Sequence, residues 1–152
     1  MTITNHAVTG ALVAAAIDRP LIALPAALLS HFLIDALPHW DYYKLAKTKK
    51  GKRALVSIDA LLAFGLLSIL ALSVNAAPWI IFLGGCLGIL PDVMWARFIL
   101  HGKPSITGNR GSLINTIRRY HINIQWLETN KIAGLYAEVI WLAFTMWMIY
   151  RI

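Results

Sequence analysis

The chain has 152 residues, of which 59% are hydrophobic and only 14% are charged. Soluble domains average about a quarter charged residues, so this composition excludes an ordinary soluble domain and predicts a single transmembrane domain over residues 1–152. The net charge of +7 does not indicate nucleic acid binding. The basic residues border apolar segments, where positive-inside topology and anionic lipid headgroups explain them.

The first apolar stretch, residues 7–17, is too short to cross a bilayer, since a spanning helix needs about twenty residues. Asp18, Arg19 and Pro20 interrupt it, and the proline is well placed to begin a second helix over residues 20–37. Two topologies are open. The first stretch is either a re-entrant or interfacial half-helix paired with the 20–37 span, or part of one long broken helix. The charged pair and the proline favour the half-helix.

Three further stretches are long and apolar enough to span a membrane: residues 54–77, 79–100 and 131–150. The polar stretch before the last of them predicts a loop and then a cytoplasmic amphipathic helix at roughly 112–127. The predicted fold is therefore an all-α, polytopic membrane helical bundle with about four spans, an N-terminal half-helix and this amphipathic helix. Small residues on the third span allow close helix packing and predict a homo-oligomer through Gly84, Gly85 and Gly88.

The distribution of basic residues predicts the orientation. Six of the fourteen Lys and Arg residues lie between Lys44 and Arg53, and most of the others lie between Arg97 and Lys131. Cytoplasmic loops carry an excess of Lys and Arg, so both basic loops are expected in the cytoplasm and Asn75 on the opposite side. The expected location is a bacterial-type inner (cytoplasmic) membrane, with the lipid bilayer and its anionic headgroups as partners.

Unusual polar residues mark the cytoplasmic end of the 20–37 span. His31 and Asp35 are four residues apart and share one helix face. His39 lies on the same stripe if Pro38 only bends the helix, and Asp41 follows. Two imidazoles and two carboxylates so close together can supply several metal ligands.

Acids on other spans are expected at the same depth. Asp92 lies just before the third span ends, and Asp59 lies one to two turns inside the second span. Ionisable residues within spans are costly and usually functional. For Asp59, metal ligation and an ion pair with a lysine of the basic loop are both open. Glu138 in the last span is expected to be a hydrogen-bond partner.

Several short blocks together resemble a known family. They are Asn5-His6, SHFLIDALPHWDYY at 30–43, LPDVMW at 90–95 and RRYHINIQW at 118–126. The chain is similar in these blocks to the YdjM-type family of membrane-bound metal-dependent hydrolases, which are distantly similar to zinc-dependent phospholipase C. The resemblance implies a metal-binding role for His6 and a zinc site at His31 and Asp35. The His-Arg-Gly-x-x-His-Ser block of that family is absent, and residues 109–112 stand roughly in its place.

The residues and the resemblance together predict a set of metal ligands: His6, His31, Asp35, His39, Asp41 and Asp92. Nitrogen and oxygen ligands without thiolate suit zinc, and also manganese or iron. Catalytic roles are expected for Asp35 and His121, since a metal-activated water can attack a phosphoryl or acyl centre. For His121, a solvated position on the amphipathic helix is the competing interpretation. Three residues near it are expected to contact a headgroup: Arg118, Arg119 and Gln125.

The predicted function is a membrane-embedded metal-dependent hydrolase at the cytoplasmic interface, acting on a phospholipid or another phosphoester or ester amphiphile. One alternative is a non-catalytic scaffold or binding protein with a structural polar or metal cluster. A small transporter subunit is a further alternative, because acids within spans often mark ion paths. Acids gathered at one membrane face, rather than in the middle, argue against transport.

Overall fold

The computed structural model describes residues 1–101, 113–125, 127 and 129–152, and its regular elements are helical. This part of the chain forms six α-helices: α1 (Ile3–Ala16), α2 (Pro20–Asp35), α3 (Lys49–Ser73), α4 (Pro78–His101), α5 (Leu113–Ile124) and α6 (Lys131–Ile149). A 3₁₀ helix, Tyr42–Leu45, lies between α2 and α3. The all-α prediction is confirmed. The glycine-containing loop before α5, with residues 109–112, lies outside the described residues.

Within the described residues, three helices are long and apolar enough to cross a membrane: α3, the Pro78–Trp95 part of α4, and α6. They indicate a membrane protein. α2 has only 16 residues, fewer than the roughly twenty that a span needs, so the count of about four spans is not confirmed. The expected 20–37 span is shorter because α2 ends at Asp35. Leu37 precedes Pro38, and a residue before proline is biased away from helical conformation.

α1 is the central helix of the bundle and contacts α2, α3, α4 and α6. The helix that was expected to be a re-entrant or interfacial half-helix is therefore surrounded by other helices. Its small, apolar surface explains this position, because a helix that is apolar all round becomes buried. Four of its fully buried residues are small: Ala7, Gly10, Ala11 and Ala14. α1 and α2 are separate helices packed on each other, so the single broken helix is not formed.

Backbone contact between α1 and α4 depends on glycine. A Cβ atom on Gly10 would lie 2.3 Å from the Gly84 carbonyl oxygen, and one on Gly88 would lie 2.3 Å from the His6 carbonyl oxygen. A Cβ on Gly85 would lie 2.3 Å from Leu67 of α3. The predicted close packing is confirmed. This face packs against α1 and α3 of the same chain, and the homo-oligomer contact through it stays a prediction.

Candidate metal centre

Three histidines surround two aspartates where the start of α1 meets the ends of α2 and α4. This His/Asp cluster consists of His6 from α1, His31 and Asp35 from α2, Asp92 from α4 and His121 from α5. The side chains of Asp35 and the three histidines are at most 1% exposed, whereas that of Asp92 is 26% exposed. Asp92 is therefore the accessible edge of the cluster.

Asp35 lies within about a hydrogen-bond length of all three imidazoles. Its Oδ2 is 2.9 Å from His121 Nε2 and 3.3 Å from His31 Nε2. Its Oδ1 is 3.1 Å from His6 Nε2. Asp92 repeats the arrangement at longer range. Its Oδ1 is 3.7 Å from both His31 Nε2 and His121 Nε2, and its Oδ2 is 3.8 Å from His6 Nε2.

The three Nε2 atoms are buried. Each lies 2.9–3.3 Å from an Asp35 oxygen, but none makes a well-aligned hydrogen bond among the described residues. His31 also shows how one ring is oriented. Its Nδ1 donates to the Gly88 carbonyl oxygen at 2.7 Å, which turns Nε2 towards the two carboxylates. A histidine that binds a metal through one ring nitrogen usually donates the N–H of the other to a carbonyl, a carboxylate or water. The Met1 ammonium lies 3.0 Å from Asp35 Oδ1. Buried polar atoms are normally satisfied, so the poorly aligned Nε2 atoms are the groups that call for a further partner.

Four of these residues can share one cation. His31, Asp35, Asp92 and His121 each offer a ligand atom, and these atoms lie within 4.8 Å of one another. Metal bonds to His nitrogen and carboxylate oxygen are about 2.0–2.2 Å, so ligands on opposite sides of one ion are roughly 4.2 Å apart. The buried group could therefore hold a metal ion.

Asp59 of α3 holds the first turn of α1 instead of pairing with a lysine or joining the cluster. Its Oδ2 accepts from the Ile3 backbone N–H at 2.7 Å, and its Oδ1 accepts from the Thr4 backbone N–H at 3.1 Å and the Thr4 hydroxyl at 2.6 Å. The first N–H groups of a helix have no partner inside the helix, and Asp59 provides one for two of them.

Asp59 also affects Tyr42. Burial raises the pKa of the Tyr42 phenol, and the nearby Asp59 carboxylate raises it further. The phenol therefore stays neutral.

Glu138 of α6 holds the first turn of α1 from the other side. It acts as a hydrogen-bond partner, as the sequence analysis predicted. Its carboxylate accepts from the Thr2 backbone N–H at 3.1 Å and from the Thr2 hydroxyl at 2.8 Å. It also accepts from the side-chain amide of Asn5. A carboxylate at a helix N-terminus interacts favourably with the helix dipole. Asp59 and Glu138 together fix the turn that is followed at once by His6.

Removing either anchoring carboxylate should destabilise the protein. Asp59→Asn and Glu138→Gln keep the side-chain size but place an amide N–H against backbone donors. The lost charge at a helix N-terminus costs about 0.3–2 kcal/mol. We expect both variants to melt several degrees lower in detergent. The matched control is Asp41→Asn, because Asp41 forms an ion pair with Lys44 away from α1. Melting of all three variants at the same temperature would contradict this anchoring role.

α5 brings His121 and Gln125 to the cluster, so His121 is not solvated. The His121 ring lies edge-on to Phe32 and Trp95, with centroids 5.8 and 5.9 Å apart. Gln125 Nε2 donates to Asp35 Oδ2 at 2.9 Å. Arg118, predicted to contact a headgroup, donates to the Met94 carbonyl oxygen at 2.8 Å and so holds α5 against α4.

Arg119, the neighbour of Arg118 on α5, has an exposed side chain. It is therefore accessible to a ligand or to lipid, whereas Arg118 is already engaged with α4. Contact of either arginine with a headgroup stays a prediction.

His39 and Asp41, both predicted as metal ligands, do not join the cluster. His39 Nδ1 contacts the Leu37 carbonyl oxygen at 2.8 Å, and Asp41 accepts from the Tyr43 hydroxyl at 2.8 Å. The prediction of His39 required the helix to continue through Pro38. Because α2 ends at Asp35, residues four apart no longer share a helix face beyond that point.

Sequence reasoning missed two residues that orient the cluster. The Gly88 carbonyl fixes the His31 ring, and Asn5 connects α1 to Glu138. Gly88 stood out as a packing residue, but a backbone carbonyl has no sequence signature. Asn5 was noted only as part of a family block, and its role depends on a helix 133 residues away in the chain.

The fold and the cluster define a class: an all-helical protein with three candidate membrane-crossing helices and a buried His/Asp group that could hold a metal ion. Comparison with protein-family models, curated proteins and solved structures gave no match. The similarity to the YdjM-type family therefore stays a prediction.

Proposed function

We propose that the protein is a membrane-embedded, metal-dependent hydrolase that acts on a phospholipid or another phosphoester or ester amphiphile. The observation that carries the proposal is the convergence of three buried imidazole nitrogens, none with a well-aligned hydrogen bond in the described residues, on two carboxylates. One carboxylate, Asp92, is accessible. A purely structural polar network would be expected to satisfy these nitrogens.

Zinc is the proposed metal, with manganese or iron as alternatives. Its ligands would be His31, His121, Asp35 and Asp92, which offer two nitrogens and carboxylate oxygens. This ligand set suits borderline cations. A bound divalent cation would supply a Lewis acid that polarises an ester or phosphoryl oxygen and lowers the pKa of water. The chain's own part is orientation: Gly88 fixes His31, and Gln125 holds Asp35.

The surroundings of the cluster support an amphiphilic, anionic substrate. The basic segment, residues 44–53, precedes Asp59 along the chain, and Asp59 contacts the first turn of α1 next to His6. The segment therefore lies at the cluster end of the bundle. Lys47, Lys49 and Lys50 are exposed there and offer cationic docking for a headgroup. The positive-inside rule favours the cytoplasmic side of a bacterial-type inner membrane.

A structural cation is the second candidate, and the deep burial of the cluster favours it. Asp35 and the three histidines come from α1, α2 and α5 and are at most 1% exposed. A cation there would tie three helices together without needing a substrate. Both candidate functions predict metal binding, but only the hydrolase predicts turnover of a substrate.

The test is hydrolysis by purified, zinc- or manganese-loaded protein in mixed micelles. The substrates are anionic and zwitterionic phospholipids and neutral carboxylic esters. We expect metal-dependent turnover of at least one class and a loss of about 100-fold or more in Asp92→Asn, because the accessible carboxylate faces the substrate. Asp41→Asn, outside the cluster, should retain full turnover. Metal that raises the melting temperature without any turnover would support the structural cation instead.

A further inference from the structure

In both carboxylates of the His/Asp cluster, one oxygen faces His31 and His121 and the other faces His6. On Asp35, Oδ2 is nearest to His31 and His121, while Oδ1 is nearest to His6. On Asp92, Oδ1 is nearest to His31 and His121, while Oδ2 is nearest to His6. Each carboxylate therefore faces two separate groups of imidazole nitrogens.

We propose that the cluster binds two divalent cations bridged by Asp35 and Asp92. The first cation takes His31, His121, Asp35 Oδ2 and Asp92 Oδ1. The second takes His6, Asp35 Oδ1 and Asp92 Oδ2. The proposal deepens the hydrolase assignment and rests on the same cluster.

The distances fit this division. Ligands on a tetrahedron with bonds of about 2.0–2.1 Å lie about 3.3–3.4 Å apart. The nitrogen–oxygen distances assigned to the first cation are 2.9, 3.3, 3.7 and 3.7 Å. Those assigned to the second are 3.1 and 3.8 Å. Both sets are centred near the tetrahedral spacing, and bridged cations in two-metal sites lie about 3.5–4 Å apart.

The second cation explains an atom that a single cation leaves unused. His6 Nε2 is fully buried, 3.1 Å from Asp35 Oδ1, and makes no well-aligned hydrogen bond in the described part of the chain. It is not in the group of four residues that converge on one position. The first cation has four protein ligands, whereas the second has three, and open positions are the mark of a catalytic metal. The His6 side is therefore the reactive side.

The net charge of the proposed two-cation site narrows the class of substrate. One dication between two carboxylates is electrically neutral, whereas two dications leave a net charge of about +2 in a largely buried site. A positive, desolvated site favours an oxyanion, and paired cations clamp the attacking and leaving oxygens of phosphoryl transfer. Phosphoester amphiphiles are therefore expected to react in preference to neutral carboxylic esters.

A protonated amine is the competing explanation for the second position. The Met1 nitrogen lies 3.0 Å from Asp35 Oδ1, on the His6 side. If that nitrogen neutralises Asp35 in place of a metal, the protein binds one cation. Counting the cations therefore decides between the two explanations.

The experiment is a manganese titration of chelator-treated protein, read by elemental analysis after free metal is removed and by electron paramagnetic resonance. We expect two Mn²⁺ per chain with the spectrum of an exchange-coupled pair. His6→Gln should bind one Mn²⁺ per chain with the hyperfine pattern of an isolated ion. His39→Gln is the matched control, a buried histidine outside the cluster, and should keep two coupled ions.

The outcomes separate this proposal from the hydrolase assignment. One Mn²⁺ per wild-type chain together with phospholipid turnover would overturn the two-cation site and leave the hydrolase standing. No Mn²⁺ and no zinc would overturn both. Two ions retained in His6→Gln would also overturn the division of ligands. If His6→Gln fails to fold, the stoichiometry and coupling of the wild type decide alone.

Discussion

Gly88→Ala is expected to lower the melting temperature by several degrees and to weaken metal binding about tenfold or more. A Cβ atom on Gly88 would lie 2.3 Å from the His6 carbonyl oxygen and 3.2 Å from Gly10 Cα. Both are backbone atoms, so α1 must move away from α4. Overpacking of this kind costs about 1–3 kcal/mol. The same movement shifts His6 and the carbonyl that orients His31, and such outer-shell changes cost about 10–100-fold in metal affinity.

Gly65→Ala is the matched control for this prediction. A Cβ atom on Gly65 would meet nothing within 4 Å, and alanine is favoured over glycine inside a helix by about 1 kcal/mol. The control should therefore melt at the wild-type temperature or slightly above it. Thermal unfolding in one detergent, with metal titration of each variant, provides the measurement. If the two variants have the same melting temperature, close packing of α1 on α4 does not stabilise the fold.

Helix positions were largely predictable because they depend on local pattern. Apolar runs of spanning length located α3, α4 and α6. The start of α3 was placed at Ala54 because hydropathy falls before it. The helix begins at Lys49, since lysine is a good helix former and the Thr48 hydroxyl caps the Gly51 N–H at 3.0 Å. Thr48 was a usable signal.

The cluster was predictable only in part, because its members come from separate helices. The spacing of His31 and Asp35 places them on one helix face, and that inference is confirmed by their 3.3 Å contact. The same spacing, continued through Pro38, predicted that His39 joins the cluster. It does not, because α2 ends at Asp35. The central position of α1 was missed because its short length favoured a re-entrant or interfacial half-helix. Packing among five helices has no local signature, and it also decides that Asp59 and Glu138 bind α1.

Asp35→Asn should abolish metal binding while leaving the fold intact. The change is nearly isosteric, but it removes the negative charge from the residue that all three Nε2 atoms approach within 3.3 Å. The neutral amide is a poor ligand for a cation. Its oxygen can still accept from Gln125, and its N–H₂ group can donate to an imidazole lone pair. The cluster would then be satisfied without a metal.

The comparison that isolates this effect uses metal-free forms of both proteins. If Asp35 serves mainly to bind metal, metal-free Asp35→Asn should melt close to metal-free wild type, and added zinc or manganese should raise only the wild-type melting temperature. Turnover of phospholipids should disappear in the variant, while Asp41→Asn keeps both metal and turnover. If Asp35 instead holds the helices together, its loss should cost about 3–5 kcal/mol even without metal. A variant that keeps its metal but melts much lower would refute the assignment of Asp35 as a ligand, because the carboxylate would then matter to the helices and not to the cation.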